Sequence, residues 1–399
     1  MSSYVPVYKV IINDEPLPLG LLGSITGVTY QDGIEGADRV EVTFANPNLS
    51  WLDHPVLQVD NGFKLSIGYA PNPLEEVFVG EITGVEPAFP NGGMPTIKVT
   101  AHDFLQRLKK GKKDRAFRLN IPGINNFPLP DVAAAAIVSA SNLLIPYPDP
   151  VGGALSVLMT LATYVIAPSA AQRGVPRQRG QSDFDFLSKI SKENGWAMYI
   201  DHTLEPRGYI LRFQFLIQDY SPSLTLKYGA SLMDFTPRLT TVGDIFGVSA
   251  RVWVESLGIE IVIVVSWDYD RAAFNLMIYP SLIGDIDQFL GPAGRGRTLS
   301  IKPTSFPMAP KAILGELLPR LNNRLTGSGS TIGDPRVKAG RVINLEGLGD
   351  QFSGLYRITS ATHSFGSSGY RTQFQARKEV WFGSIPLPKS PSGLLRVSF

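Results

Sequence analysis

The stretch Val59-Asp-Asn-Gly62-Phe-Lys-Leu65-Ser-Ile67, continued by Phe78-Val-Gly80 and Ile97-Lys-Val99-Thr-Ala101, decides the fold. It recurs in outline near the far end as Val337-Lys-Ala-Gly340-Arg-Val-Ile343-Asn-Leu345, Phe352-Ser-Gly354 and Thr372-Gln-Phe374-Gln-Ala376. Phe78 to Ala101 and Phe352 to Ala376 differ in length by one residue, while the gap from Gly62 to Phe78 exceeds that from Gly340 to Phe352 by four. Apolar and polar residues alternate, with Gly at the corners, in the period-two grammar of antiparallel strands in a small barrel. The echo implies two similar antiparallel β-barrels on one chain. Three such chains closed into a ring offer six similar faces.

Around the first copy, residues 4–105 read as about six strands, among them Arg39-Val-Glu-Val-Thr-Phe44 with Val40, Val42 and Phe44 on one face. Beyond it the grammar turns mixed. Asp131–Ser139 reads as a helix capped by Asp131, and Ser182–Gly195 as a helix with Ser182 and Asp185 forming a near capping box and Gly195 as its stop. Phe184, Leu187 and Ile190 share a face of that helix and are expected to be buried. Strands are expected from Trp196 to Ile200 and from Tyr209 to Phe215. Further on, Gly247–Val254 alternates, and Glu260–Trp267 is nearly all apolar, as in a strand covered on both faces. A helix is expected near Ala309–Leu325 despite Pro319.

The fold class is therefore mainly β with α+β insertions. The expected division is a first barrel at 1–105, an α+β insert at 106–225, and a second barrel built from 226–270 and 336–383. A mixed insert at 271–335 and a proline-rich tail at 384–399 complete it.

Composition narrows the class. The 399 residues are 44% hydrophobic and 18% charged, enough for several cores under a weakly charged surface. The 39 glycines and 31 prolines favour strands and loops. With no cysteine, disulfides and thiolate zinc sites are excluded. A net charge of +2 gives no global pull toward nucleic acid or anionic lipid. The start, Met1–Val7, lacks a basic region followed by an apolar core, so a signal peptide is not expected. Val151–Ala167 is apolar over seventeen residues, diluted by Gly, Ser and Thr. A spanning helix needs about twenty, so a buried or subunit-facing helix is expected instead.

Four scattered motifs carry a resemblance. Phe78-Val-Gly-Glu-Ile-Thr-Gly-Val with Thr96–Leu108 and a basic turn is similar to the first barrel of phage tail hub proteins, the late-control D and VgrG-type hubs. Ser182–Ile190 with Gly195-Trp-Ala-Met-Tyr resembles their helix–strand signature. Leu226–Arg238 resembles the entry to their second barrel, and Gly354–His363 with Gly369–Phe374 its closing hairpin. The resemblance implies two tube-like barrels per chain and a homotrimer that mimics a hexameric tube ring above and seats a trimeric spike below. Implied partners are the tail tube ring, the spike, and baseplate wedge or adaptor proteins. It implies assembly in the bacterial cytoplasm into a phage tail or injection-system baseplate, with no membrane insertion and no sequence-specific nucleic acid. Unlike fused hub–spike proteins, this sequence stops after the second barrel, so any spike or wall-cutting activity is expected on another chain.

Candidate chemistry is sparse. His54, His102, His202 and His363 form no metal-binding spacing. Acids pair at Asp183/Asp185, Asp268/Asp270 and Asp285/Asp287. Helix capping accounts for the first, and the last lies in a loop-like stretch. Only Asp268/Asp270, on one face of a strand, suits the two-carboxylate spacing of a glycosidase. A β-rich glycan-acting enzyme or carbohydrate-binding protein using Asp268 and Asp270 is thus the rival reading. No nucleophile elbow is present, and Gly291-Pro-Ala-Gly294-Arg-Gly296-Arg297 lacks the strand and helix that make a phosphate loop. Arg107–Arg118 holds seven cations in twelve residues. It suits phosphates in a tube lumen, a solvated loop, or acids of a neighbouring subunit. Leu394–Phe399 suits either a strand added to a partner's sheet edge or a frayed tail. No catalytic, cofactor-binding or metal-ligating residue is assigned, no cofactor is expected, and the chain is expected not to be an enzyme.

Overall fold

The structure, a computed structural model, describes residues 5–121, 124–166, 171–172, 174–215, 221–240, 247–254, 258–268, 273–281, 298–301, 309–367 and 369–382. The first strand unit comprises β1 (Val5–Ile12), β2 (Ile25–Gly33), β3 (Arg39–Ala45), β4 (Gly62–Ala70), β5 (Glu75–Ala88) and β6 (Thr96–Asp103). Their spatial order is β1-β4-β5-β6-β3-β2, antiparallel throughout. The alternation read from the sequence becomes a core: Val40, Val42 and Phe44 meet Phe63, Leu65, Ile67, Ile97, Val99 and Ala101. Each large apolar side chain fully buried there contributes about 1.5–3 kcal/mol.

A mixed insert follows. Helix α1 (Asp131–Ala140), α2 (Pro150–Ile166) and α3 (Asp183–Asn194) accompany the hairpin β7 (Trp196–Asp201) and β8 (Ile210–Phe215). Ser182 caps α3 by accepting from the Asp185 amide at 3.1 Å, and Gly195 ends it in the left-handed region at φ 67°. Leu187 and Ile190 are buried as expected, but Phe186 is buried and Phe184 only half-buried. The buried face of α3 is Asp183, Phe186, Leu187, Ile190 and Ser191, and its apolar residues pack with Ala134, Ala135 and Val138 of α1 and with the 3-10 turn Phe104–Lys109. Asp131 is not the cap of α1: Pro130 holds that position, and the Asp131 carboxylate accepts from Asn194 Nδ2 at 2.9 Å. Helix α2 turns Gly152, Ser156 and Thr163 inward and exposes Leu158, Leu161 and Val165.

The second unit comprises β9 (Pro222–Lys227) and β10 (Leu232–Leu239), then β15 (Leu325–Ile332), β16 (Val342–Glu346), β17 (Gly354–Gly366) and β18 (Gly369–Arg377) after an interruption. The interruption holds β11 (Gly247–Val254), β12 (Ile259–Asp268), β13 (Ala273–Pro280), β14 (Thr298–Ile301) and helix α4 (Ala309–Asn322). Strands β11 and β12, within the stretch 226–270 expected to pair with 336–383, lie instead in a separate four-stranded sheet ordered β13-β12-β11-β14. Its inner face (Val248, Ala250, Val252, Ile263, Val265) packs on Ile313, Leu317 and Leu321 of α4. Conversely β15, expected in a mixed insert, is a strand of the main sheet. Period-two patterning fixes which face is apolar, not which sheet a strand joins.

The two units share one architecture. In the second the order is β9-β16-β17-β18-β15-β10, the order of the first with each strand replaced by its counterpart in chain sequence. The registers agree as well. A bulge falls between Ile82 and Gly84 where β5 meets β6, and between Ile358 and Ser360 where β17 meets β18. Another falls between Ile25 and Gly27 where β2 meets β3, and between Leu232 and Asp234 where β10 meets β15. Bulges are positional features rather than noise, so their coincidence fixes the correspondence residue by residue. One departure is the first strand, antiparallel to its neighbour in β1 and parallel in β9.

Candidate functional site

The two units join into one sheet along a seam. Ser360–Phe365 of β17 pairs antiparallel with Gly33–Val28 of β2. The tip of the β17–β18 hairpin crosses into the first unit, where Phe365 and Tyr370 stack at 4.1 Å and become part of its core. Tyr8 meets Phe365 edge-on at 5.3 Å, and the Tyr69 hydroxyl donates to Gly333 O at 2.8 Å. Lys338 Nζ donates to Glu75 at 2.8 Å across the same seam.

Beneath the seam lies a buried polar centre fed by both units and the insert. Asp32 on β2 accepts from the amides of Ala339 (2.9 Å) and Ala361 (3.0 Å), so one carboxylate closes two backbone donors of the second unit. Burial, reinforced by the Asp38 charge, pushes Asp32 up to about 8 against those amides and Lys338. Asp103 accepts from the amides of Asp38 and Leu105. Burial and then Asp38 raise its carboxyl well above the usual range. The Tyr30 hydroxyl donates to Asp38 at 3.2 Å, and Tyr30 stacks on His363 at 5.6 Å. His363 is fully buried between Tyr370, Thr372 and the carbonyl of Val337, and burial lowers it to about 3. A small cavity of about 100 Å³ opens beside these groups, lined in part by Tyr199, Asp201, Arg212 and Arg341.

Asp38, Asp103 and His202 place one ligand atom each within 4.8 Å of one another. The tautomer argues against a metal there. The Val79 amide donates to His202 Nδ1 at 3.3 Å, which leaves the ring proton on Nε2, 3.4 Å from Asp38 Oδ2. A protonated nitrogen is no ligand. His202 ties the insert to the first unit by accepting from the Val79 amide and facing Asp38.

The remaining sequence candidates disperse. His54 caps a short turn by accepting from the Val56 amide, and His102 meets the Thr83 hydroxyl at 2.6 Å. Asp183, in the first turn of α3, does more than attend the helix cap. It is buried, bound to Lys113 (2.5 Å), Asn142 (2.8 Å) and Gln178 (2.8 Å), with Arg115 at 3.5 Å. Burial raises its pKa, but these donors outweigh it and hold the carboxyl below its ordinary value. The basic run therefore finds acids within its own chain: Lys113 and Arg115 on Asp183, and Arg107 on Glu81 at 2.8 Å. Asp268 ends β12, while Asp270, Asp285, Asp287, Gly291–Arg297 and Leu394–Phe399 lie outside the described residues. Asp32, Asp38 and Asp103 escaped the sequence reading because their partners are up to 329 positions away.

Among the described residues, no helix is long and apolar enough to cross a membrane. No protein-family model and no curated protein matches the sequence. Solved structures do. The 43 kDa tail protein of prophage MuSo2 from Shewanella oneidensis matches with a TM-score of 0.60 at 12% identity, over 94% of this chain and 99% of that one. A tail protein from Neisseria meningitidis matches with a TM-score of 0.60 at 10% identity, over 96% and 100%. An Escherichia coli component of the type VI secretion system, described as structurally similar to T4 bacteriophage tail proteins, matches with a TM-score of 0.56 at 11% identity, over 95% and 79%. The chain thus has the mainly β fold of phage tail proteins and their secretion-system counterparts.

Proposed function

We propose that this chain is a structural hub of a phage tail or contractile injection system. Three copies close a ring, and the six strand units of that ring match a hexameric tube on one side and seat a trimeric spike on the other. The observation that carries this reading is the register-level equivalence of the two units. A chain with two like units, taken three times, supplies near-sixfold geometry from threefold symmetry. The shared fold with phage tail proteins supports it. The working division is a first unit at 5–103, an insert at 104–221, and a second unit at 222–240 and 325–377 interrupted by 247–322. Partners are the tube protein, the spike, and wedge or adaptor proteins, with assembly in the bacterial cytoplasm. The role is scaffolding, with no catalytic step assigned to any residue.

Light scattering of the purified chain, alone and with a cognate tube protein, tests this. A mass of three chains and ring-shaped particles with six lobes in negative stain are expected. A chain that stays monomeric in both settings and caps no tube overturns it.

A further inference from the structure

The equivalence of the units leaves one pair of edges without its counterpart. In the intrachain seam, the outer half of β17 pairs with β2, matching Ser360 to Gly33, Thr362 to Gln31, Ser364 to Thr29 and Phe365 to Val28. By the bulge-anchored correspondence, the outer half of β17 is Gly84–Phe89 and β2 is Phe235–Thr240. Among the described residues, β5 pairs with β4 only through Glu75–Glu81, so Gly84–Ala88 has β6 on one side and no strand on the other. Among the described residues, strand β10 ends the sheet. The exposures differ accordingly. Phe365 is buried in the neighbouring unit, whereas Phe89, its counterpart, is 61% exposed, with Met94 across the turn at 58%.

We infer that the β5–β6 hairpin of one copy docks on β10 of the next, repeating between chains the seam that β17 and β2 form within one. This rests on the hub reading and names its ring contact. Transferring the seam register sets Val85 opposite Leu239, Pro87 opposite Pro237 and Phe89 opposite Phe235 on one face, all apolar. On the other face it sets Gly84 opposite Thr240, Glu86 opposite Arg238 and Ala88 opposite Thr236, with opposite charges facing. Nothing in the transfer selects for this complementarity. Pro87 and Pro237 lack amide donors, which keeps both edges from pairing indiscriminately. The contact therefore draws on side-chain burial at Phe89 and Met94 more than on a continuous ladder. It is heterologous and closes only as a ring. Lys98, which holds Glu86 at 2.7 Å within the chain, gives up or shares that partner on docking.

The absence of cysteine makes cross-linking clean. A Glu86→Cys/Arg238→Cys chain, oxidised, is expected to run as a covalent trimer on a non-reducing denaturing gel, while each single variant runs as a monomer. Thr362→Cys/Gln31→Cys, at the intrachain seam, is the control and closes without change of mass. Phe89→Ser/Met94→Ser is expected to lose the trimer while keeping the far-UV circular dichroism of the folded chain, because both side chains are exposed within one copy. If the chain is trimeric yet the double-cysteine variant stays monomeric, or Phe89→Ser/Met94→Ser remains a trimer, this contact is wrong and the hub reading stands. If no trimer forms in any setting, both fall.

Discussion

Ile82 and Ile358 hold the same place in the two strand units. The Ile82 amide donates to Asn61 O at 2.8 Å, and the Ile358 amide to Arg341 O at 2.9 Å. Ile82 O accepts from Asp60, and Ile358 O from Gly340, at 2.8 and 2.9 Å. Asp60 and Gly340 both have positive φ, 69° and 80°. Each isoleucine is fully buried and immediately precedes its unit's bulge. Two chain segments that share a strand order, a bulge and the turn beside it are two editions of one structure, and the hub reading grows from that.

Asp183 neutralises cations from the basic run inside the insert. Asp183→Ala removes the shared acceptor of Lys113, Asn142 and Gln178. Breaking a buried pair costs about 3–5 kcal/mol. Because Lys113 and Arg115 keep about a third of their surface in water, about 2–3 kcal/mol is expected. Denaturant midpoints check it, and Asp183→Asn, which keeps an acceptor, is expected to lose less.

The seam weakens as pH rises. Asp32 in the folded chain titrates at about 8, far above its ordinary 3.8. Its contribution is fully present below about pH 4 and is lost as pH rises through about 8. Asp32→Asn is expected to flatten the decline in thermal stability between about pH 4 and 8, at lower overall stability, since one of the two amides loses its acceptor. An unchanged slope would show that another group governs it.

His363 acts in the opposite direction. Folded, it takes up a proton only near pH 3, against 6.5 in water. Its contribution is complete above pH 6.5 and declines as pH falls toward 3. His363→Gln, which cannot be protonated, is expected to show a shallower acid limb, with about 1–3 kcal/mol lost at neutral pH from the disturbed bonds to Tyr370 and Val337.

Gly80 lies where β5 passes close to the backbone of β6. A Cβ there would run into the carbonyl of His102 and the ring of Phe78. Gly80→Ala is expected to cost about 1–3 kcal/mol through backbone displacement. Gly62→Ala, with nothing nearer than 3.7 Å, is the control. Equal midpoints for the two would mean the strand pair is looser than drawn.

The echo was legible with a revealing error. Ile97–Ala101 and Thr372–Ala376 match in the register the sheet confirms, as counterparts across Ile82 and Ile358. The other two segments slip by two: Gly62 corresponds to Val342 rather than Gly340, and Phe78 to Gly354 rather than Phe352. A slip of two keeps every side chain on its face, so alternation alone cannot detect it. Helix caps were local and readable at Ser182 and Gly195. At Asp131 the preceding proline took the cap, a choice made by backbone geometry rather than by residue preference.

Local periodicity and turn chemistry settled that this polypeptide is built of antiparallel strands, in two similar sets, with a capped helix between them. Both follow from interactions within a few residues. Assignment of Gly247–Val254 and Ile259–Asp268 to a sheet of their own, entry of Leu325–Ile332 into the main one, and the gathering of Asp32, Asp38, Asp103, His202 and His363 beneath the seam were decided only in three dimensions. Each depends on which distant segment excludes water from which face, and strand patterns carry no label for their neighbours.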